Sequence, residues 1–311
     1  MDPSKKAVLL VNNKSRRGKE WYSQCDKYLR DFGFELEESR EFRRVDQLIR
    51  HTKNAIGRKV PTIIAGGGDG TFSAIAKLFE NSESTLGVLP LGTGNAFARD
   101  LGIATDPETA CRVVAEGKRV KVDLGVGAGD VFLNVATMGL TTLVADSLTN
   151  DAKRRLGMFV YAAALFNGIR KAKPFLLTLE TENDTDEFET LQLVIGNGRY
   201  HAGPFPLSPG ASIVEGKLSL YALQTTNKAA FLKLGLYLPS GRQCHLPEVH
   251  YQDTSGGIAT TTPSVRVTID GEISANTPFK FGIRPGCLPV MVPQSFVESE
   301  IEGTREAVNA I

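Results

Sequence analysis

Gly66-Gly67-Gly68-Asp69-Gly70-Thr71 is the stretch on which the fold of this chain turns. Before it, Val60-Pro61-Thr62-Ile63-Ile64-Ala65 is short, apolar and β-branched, as a buried strand is. After it, Phe72 to Phe79 carries apolar residues at helical spacing. The glycines therefore fall on a strand-to-helix turn. Glycine there tolerates φ > 0 and lets backbone N–H groups approach an anion with no Cβ in the way, while the following helix aims its positive end at the same point. Two readings stand on glycine content alone: a seat for nucleotide phosphates, or a tight turn with no ligand. Asp69 bears on the choice, because an acid in a phosphate loop is unfavourable unless a metal ion or a donor offsets it.

Upstream, Ala7 to Val11 reads as a first buried strand ending at Asn12-Asn13-Lys14-Ser15-Arg16-Arg17-Gly18-Lys19. This donor-rich loop lacks P-loop spacing and is either a second phosphate contact or a solvated basic loop. Helices over residues 20 to 31 and Val45 to Ile56, with a short strand Glu35 to Arg40, give the alternation of a doubly wound parallel sheet, whose ligands sit at the carboxyl ends of its strands. Downstream, the strand Leu86 to Leu91 opens into Gly92-Thr93-Gly94-Asn95 and a helix Ala96 to Leu101, so two glycine turns converge. A helix Pro107 to Glu116 and the run Val120 to Gly125 follow. From Val131 strands dominate: Phe132 to Thr137, Leu176 to Glu180, Leu191 to Gly196, Leu218 to Leu223, Val265 to Ile269 and Gly286 to Val292. One helix, Lys153 to Lys171, lies among them, and Val297 to Ile311 reads as a terminal helix. The expected class is α/β plus all-β: a doubly wound nucleotide-binding domain over 1–125, joined by a C-terminal helix in 293–311, and a β-sandwich-like domain over 126–292.

With 311 residues and 41% hydrophobic content the chain supports two cores. A net charge of +1 argues against nucleic-acid binding by bulk charge. Cys25, Cys111, Cys244 and Cys287 show no paired spacing, which fits reduced thiols in a cytoplasmic protein. Met1 to Lys6 leads straight into a strand, so no signal peptide is expected, and the apolar run Met158 to Phe166 is too short to span a bilayer. Lys153-Arg154-Arg155 before that run is either a contact for anionic headgroups or a solvated helix start. Cys244, His245, Glu248 and His250 have no standard zinc spacing and read as ordinary surface. Trp21 and Tyr22 read as core packing for the first helix.

Gly67-Gly68-Asp69-Gly70-Thr71, Pro90 to Arg99, Phe132-Leu133-Asn134, Gly196 to Tyr200 and Asp270-Gly271-Glu272 together resemble the bacterial diacylglycerol and lipid kinase family, related to sphingosine kinases. The resemblance implies ATP- and Mg²⁺-dependent transfer of the γ-phosphoryl group to a lipid hydroxyl, first of all diacylglycerol, by a cytoplasmic protein peripheral at the membrane, with room for a homodimer. It places the nucleotide on Asn12, Lys14, Gly66, Gly67, Gly68, Asp69, Gly70, Thr71, Thr93 and Asn95, with Asp69 also a metal ligand. It makes Asp270 and Glu272 the catalytic pair, one taking the hydroxyl proton and the other supporting it, and gives the second domain the lipid. Spacing alone equally allows a plain Asp-Gly hairpin turn there.

Lys14, Arg99 and Asp123 match positions that form a charged network in Gram-positive diacylglycerol kinases; the alternative is an ordinary surface or hinge ion pair. Two departures stand out. Ala96 replaces the acid that follows the Asn of the second motif in those kinases, which looks more like sphingosine kinases and keeps sphingoid bases and phosphatidylglycerol open as acceptors. Glu215-Gly216 stands where the family often has Asp-Gly and a structural Mg²⁺. NAD kinases share the first turn but expect Asn-Glu where this chain has Asn134-Val135. A binding module that has lost catalysis is the third rival, against which intact Asp69, Asp270 and Glu272 weigh. The whole reading requires the two amino-terminal turns and the acidic corner to serve one phosphate.

Overall fold

The computed structural model describes residues 5–15, 17–140, 142, 168, 170–202, 205–208, 210–227, 230, 234, 237 and 240–300. The chain forms two compact units, Met1–Asp123 with Gly286–Ile311, and Leu124–Pro285.

The first unit carries strands β1 (Lys6–Asn12), β2 (Glu35–Phe42), β3 (Thr62–Gly67), β4 (Thr85–Pro90) and the start of β5 (Lys118–Gly127). Its helices are α1 (Gly18–Asp31), α2 (Val45–Gly57), α3 (Asp69–Ala76), α4 (Ala96–Asp100) and α5 (Pro107–Glu116). β2, β1, β3 and β4 lie side by side, all parallel. Ala7–Val11 and all of β3 and β4 are buried, as strands covered on both faces must be. Helix α1 packs on α5 and α2 on α3. Each turns one stripe inward: α2 buries Leu48, Thr52 and Ala55, spaced four and three residues apart. Asp106 starts α5 by accepting the Thr109 N–H at 2.8 Å, with Pro107 at the first position, where its missing N–H costs nothing. Because β1 lies between β2 and β3, the chain leaves it in both directions, and the carboxyl ends of β1 and β3 form the crevice where such sheets take ligands.

The chain enters the second unit within β5. It continues through β6 (Asp130–Phe132), β7 (Val135–Gly139), β8 (Phe175–Thr181), β9 (Thr185–Thr190), β10 (Gln192–Gly196), β11 (Tyr200–Ala202), β12 (Phe205–Pro206), β13 (Leu218–Leu223), β14 (Val249–Thr254), β15 (Gly256–Thr262), β16 (Arg266–Ile269) and β17 (Glu272–Asn276). It returns to the first unit within β18 (Phe279–Val292), where Val290 pairs parallel to Leu86 of β4. One sheet runs β14-β13-β10-β7-β16-β17, antiparallel throughout. A second antiparallel ladder joins the first part of β18 to β15, β8 and β9. They share one core, to which Ala136, Met138, Leu193, Ile195, Leu218 and Leu220 come from the first sheet and Leu177, Leu179, Phe279 and Phe281 from the second, always at every other residue. That is the sandwich the strand pattern predicts.

Five differences from the sequence reading have physical reasons. The expected strand Phe132 to Thr137 is broken at Leu133-Asn134, where the backbone N–H groups turn to Asp270. Strands β9, β14, β15 and β17 were not foreseen, because polar residues and glycine leave few of their positions buried. Strand β18 begins at Phe279 rather than Gly286, running straight through a Pro285-Gly286 pair that resembles a turn. Helix α3 starts at Asp69 and gives way to a 3₁₀ turn over Lys77–Phe79. Trp21 and Tyr22 are half-buried rather than core; Arg17 lies over the Trp21 ring at 4.7 Å, and the Tyr22 hydroxyl bonds Ser39 Oγ at 2.9 Å. The expected helix Lys153–Lys171, with its basic start and apolar run, lies outside the described residues except at 168, 170 and 171. The terminal helix is present over residues 294–300, and its continuation is likewise outside them. Among the described residues no helix is long and apolar enough to cross a membrane.

Candidate active site

In the first unit the loops at the carboxyl ends of β1, β3 and β4 are stitched together. The Asn12 carboxamide does two things: Nδ2 donates to Thr71 Oγ1 at 3.0 Å, and Oδ1 accepts the Lys14 N–H at 3.1 Å. Leu91 N–H donates to Gly67 O at 2.7 Å, and Arg17 N–H to Leu91 O at 3.2 Å. The two glycine turns touch, since a Cβ on Gly68 would lie 3.1 Å from Gly92 Cα, and a Cβ on Gly67 would strike the Thr71 side chain. Those glycines are required by packing. Gly70 is different: a Cβ there meets nothing within 4 Å and its φ is not positive, so the fold itself has no need of glycine at that position.

Helix α3 begins at Gly68 with no side-chain cap, and Thr71 and Phe72 turn their N–H groups back to Gly68 O. An uncapped eight-residue helix opening beside an open glycine can receive an anion. Asp69, half-buried, accepts the Phe97 N–H on Oδ1 at 3.1 Å and so ties the first turn to α4. Asn95 is buried and left-handed, and bonds Gly92 in both directions at 3.0 and 3.1 Å, which fixes the second turn, while Thr93 is exposed at its tip. Lys14 is exposed. The proposed network residues have separate partners: Arg99 Nε donates to Gly94 O at 3.2 Å, and the buried Asp123 accepts the Gly286 N–H at 2.7 Å.

Next to Asn13 lies an open surface groove lined by Tyr22, Ser39, Arg40, Arg43, Arg44 and Gln47, among others. The sequence reading missed it. Its signal is Arg43-Arg44 directly after β2, at the same end of the sheet as the loop after β1.

In the second unit Asp270 and Gly271 both have positive φ, 46° and 90°, and join β16 to β17 with Ile269 opposite Glu272. This is a two-residue hairpin of the kind Asp-Gly favours. The turn has a second property. Asp270 Oδ1 accepts the N–H groups of Asn134 and Val135, each at 3.0 Å, and Oδ2 accepts that of Leu133 at 2.9 Å. The carboxylate is thus locked against the start of β7, and the Asp270 N–H answers to Val135 O at 2.9 Å. Asn197 holds the same segment from the other side, its N–H on Asn134 O at 2.9 Å and its Nδ2 on Leu133 O at 3.0 Å. Glu272, two residues on, is exposed. The corner therefore pairs a fixed acid with a reachable one.

Glu215 is exposed on a turn whose Gly216 has φ +70°. Cys244 Sγ donates to Gly241 O at 3.4 Å, and His250 lies 3.3 Å from Asp186. No group of three His, Cys, Asp or Glu side chains able to hold a metal ion occurs among the described residues. A single carboxylate such as Asp69 still suffices for Mg²⁺ where substrate phosphates and water complete the shell.

Residues 6–126 match the diacylglycerol kinase catalytic domain, and residues 134–292 match the YegS C-terminal NAD kinase β-sandwich-like domain. A probable lipid kinase YegS-like protein of Pseudomonas aeruginosa is 31% identical over 94% of this chain and 96% of its own length. A diacylglycerol kinase of Staphylococcus saprophyticus is 27% identical over 77% of this chain and 79% of its own. A solved structure of a diacylglycerol kinase from Bacillus anthracis, 19% identical, shares the fold with a TM-score of 0.73 over 94% of this chain and 98% of that one. By sequence and by fold, the chain belongs to the diacylglycerol kinase-like family of lipid kinases.

Proposed function

We propose that this lipid kinase transfers the γ-phosphoryl group of ATP to the hydroxyl of a membrane lipid, with diacylglycerol, giving phosphatidic acid, as the reference acceptor. The observation that carries the nucleotide half is the uncapped start of α3 beside Gly70. Backbone N–H groups there, with Lys14 within the neighbouring loop, neutralise phosphate charge, which is most of what phosphoryl transfer asks of a protein. The open groove beside Asn13 carries three arginines, which add positive charge for the nucleotide at this end of the sheet. Mg²⁺ bound with the nucleotide would supply further charge neutralisation, and Asp69 would help to hold it. Glu215 is less suited, since its long, exposed chain leaves the ion to backbone carbonyls and water.

In the second unit the division of work follows from the hydrogen bonds. Asp270 has three N–H donors on its two oxygens and serves to fix the corner, whereas the exposed Glu272 can meet a substrate hydroxyl. Glu272 accepts the hydroxyl proton as the lipid oxygen bonds to phosphorus and the bond to the ADP oxygen breaks. The protein works at the membrane surface, where its substrate is.

Incubation with [γ-³²P]ATP and a panel of lipid alcohols and NAD tests this. Label in lipid, absent without Mg²⁺, is the expected result. Label in NAD alone, or none in any acceptor, would replace the reading by one of its rivals.

A further inference from the structure

Leu133 and Asn134 lie between β6 and β7, outside either strand, yet both are buried. Their peptide groups therefore need partners that no sheet ladder supplies. Two side chains from elsewhere in the second unit answer the two sides of the segment. On one side the N–H groups of Leu133, Asn134 and Val135 converge on the Asp270 carboxylate. On the other, both carbonyls go to Asn197, just past the end of β10: its Nδ2 donates to Leu133 O at 3.0 Å and its N–H to Asn134 O at 2.9 Å. Asn197 is 1% exposed and its two partners are buried with it, so water does not replace a lost donor there. Three stretches far apart in sequence meet in this way, with 64 positions between Asn197 and Leu133 and 137 between Leu133 and Asp270.

Resting on the lipid kinase reading above and its role for Glu272, we infer that Asn197 is a positioning residue for phosphoryl transfer. An acid held by three N–H groups is placed only as well as those groups are. Two of the three belong to the segment that Asn197 holds, whereas Val135 has its own place in the ladder between β7 and β10. Without the Nδ2 donor, Leu133 O loses this partner in a buried setting, and the segment relieves that cost by turning. Its N–H groups turn with it and Asp270 follows. The hairpin that Asp270 anchors then carries Glu272, two residues on, away from its working position. A shift of about 1 Å at a reacting group is enough to lower a rate roughly 10²-fold. Asn197 acts through the Asp270 corner and not on lipid or nucleotide, so its loss lowers turnover and leaves substrate binding intact.

The test uses Asn197→Leu and Asn197→Ala, which both remove the Nδ2 donor and keep the backbone N–H, one filling the space and the other emptying it. Ile195→Val, which trims a buried side chain two residues back on β10, is the control for a general loss of stability. Rates are taken with [γ-³²P]ATP and the lipid alcohol that the wild type labels best, well below each variant's melting temperature. For both Asn197 variants kcat should fall roughly ten-fold or more, with KM for lipid and for ATP within about two-fold of wild type. Ile195→Val should keep kcat within about two-fold. Combining Asn197→Ala with Asp270→Asn should lower kcat little beyond Asp270→Asn alone, because both act on one link. Wild-type kcat in the Asn197 variants, an equal fall in the control, or losses that multiply in the double variant would overturn the inference and leave the lipid kinase reading standing. Wild-type protein that labels no lipid would remove the reading and the inference together.

Discussion

Asp69 and Asp270 both stand on glycine turns and both accept backbone N–H groups, but what they join differs. Asp69 accepts the N–H of Phe97, just past the other glycine turn, at the mouth of a helix with no cap. Asp270 takes three, from consecutive residues of another strand, in a hairpin whose two turn residues have positive φ. The same residue type beside glycine therefore does two jobs. In the first unit the acid ties two glycine turns together beside an uncapped helix start. In the second it clamps a hairpin to another strand and leaves the exposed Glu272 beside it.

Glu272 itself aside, the largest effect expected from this contrast is at Asp270. Asp270→Asn puts an NH₂ group against one of three N–H donors, which costs about 1–3 kcal/mol of stability. It also shifts the corner enough to reduce transfer roughly 10²-fold. Thermal unfolding and initial rates on one preparation check both, and loss of activity with unchanged stability would mean that Asp270 acts on the substrate itself.

Gly70→Ala comes next and probes the opposite half. Since the added methyl meets nothing, stability should be unchanged or slightly higher, while ATP affinity falls on the order of ten-fold because the methyl occupies the anion's approach. Isothermal titration with ATP measures it; unaltered binding would make the turn a packing device only.

The smallest effect is expected at Glu182, a carboxylate that caps backbone with no part in the reaction. Burial acts to raise its pKa, but the Thr254 hydroxyl and the Ser255 N–H outweigh this and hold it down at about 2, against an ordinary value of 4.5. A depressed folded-state pKa adds stability at pH values above 4.5, and that stability is lost as pH falls from there toward 2. The group is exposed, so solvent screening limits the contribution to under about 1 kcal/mol. Glu182→Gln should therefore flatten the acid limb of a stability-against-pH curve slightly and leave kinase activity untouched.

Much of the first unit was legible because its signals are local. The β-branched run before Gly66, the glycines themselves and the helical spacing after Thr71 lie within twenty residues and need no tertiary knowledge. The second glycine turn and the Asp-Gly hairpin are equally local. What could not be read is long-range. The donors to Asp270 come from Leu133, Asn134 and Val135, some 135 positions away. Nothing in the sequence says that the acid of Asp-Gly-Glu is clamped while the glutamate is not. The groove by Asn13 depends on β1 and β2 ending side by side. Strand β15 stayed hidden because, although it pairs with β18 on one side and β8 on the other, its threonines and glycines lack the apolar alternation that marks a half-buried strand.

The proposed division of work, with the nucleotide held at the α3 turn and the acceptor's proton taken by Glu272, is tested most directly on Glu272→Gln by measuring ATP affinity and lipid phosphorylation together. The expected result is an ATP Kd and melting temperature equal to wild type, with transfer lower by roughly 10²–10⁴-fold. Transfer at the wild-type rate would contradict it.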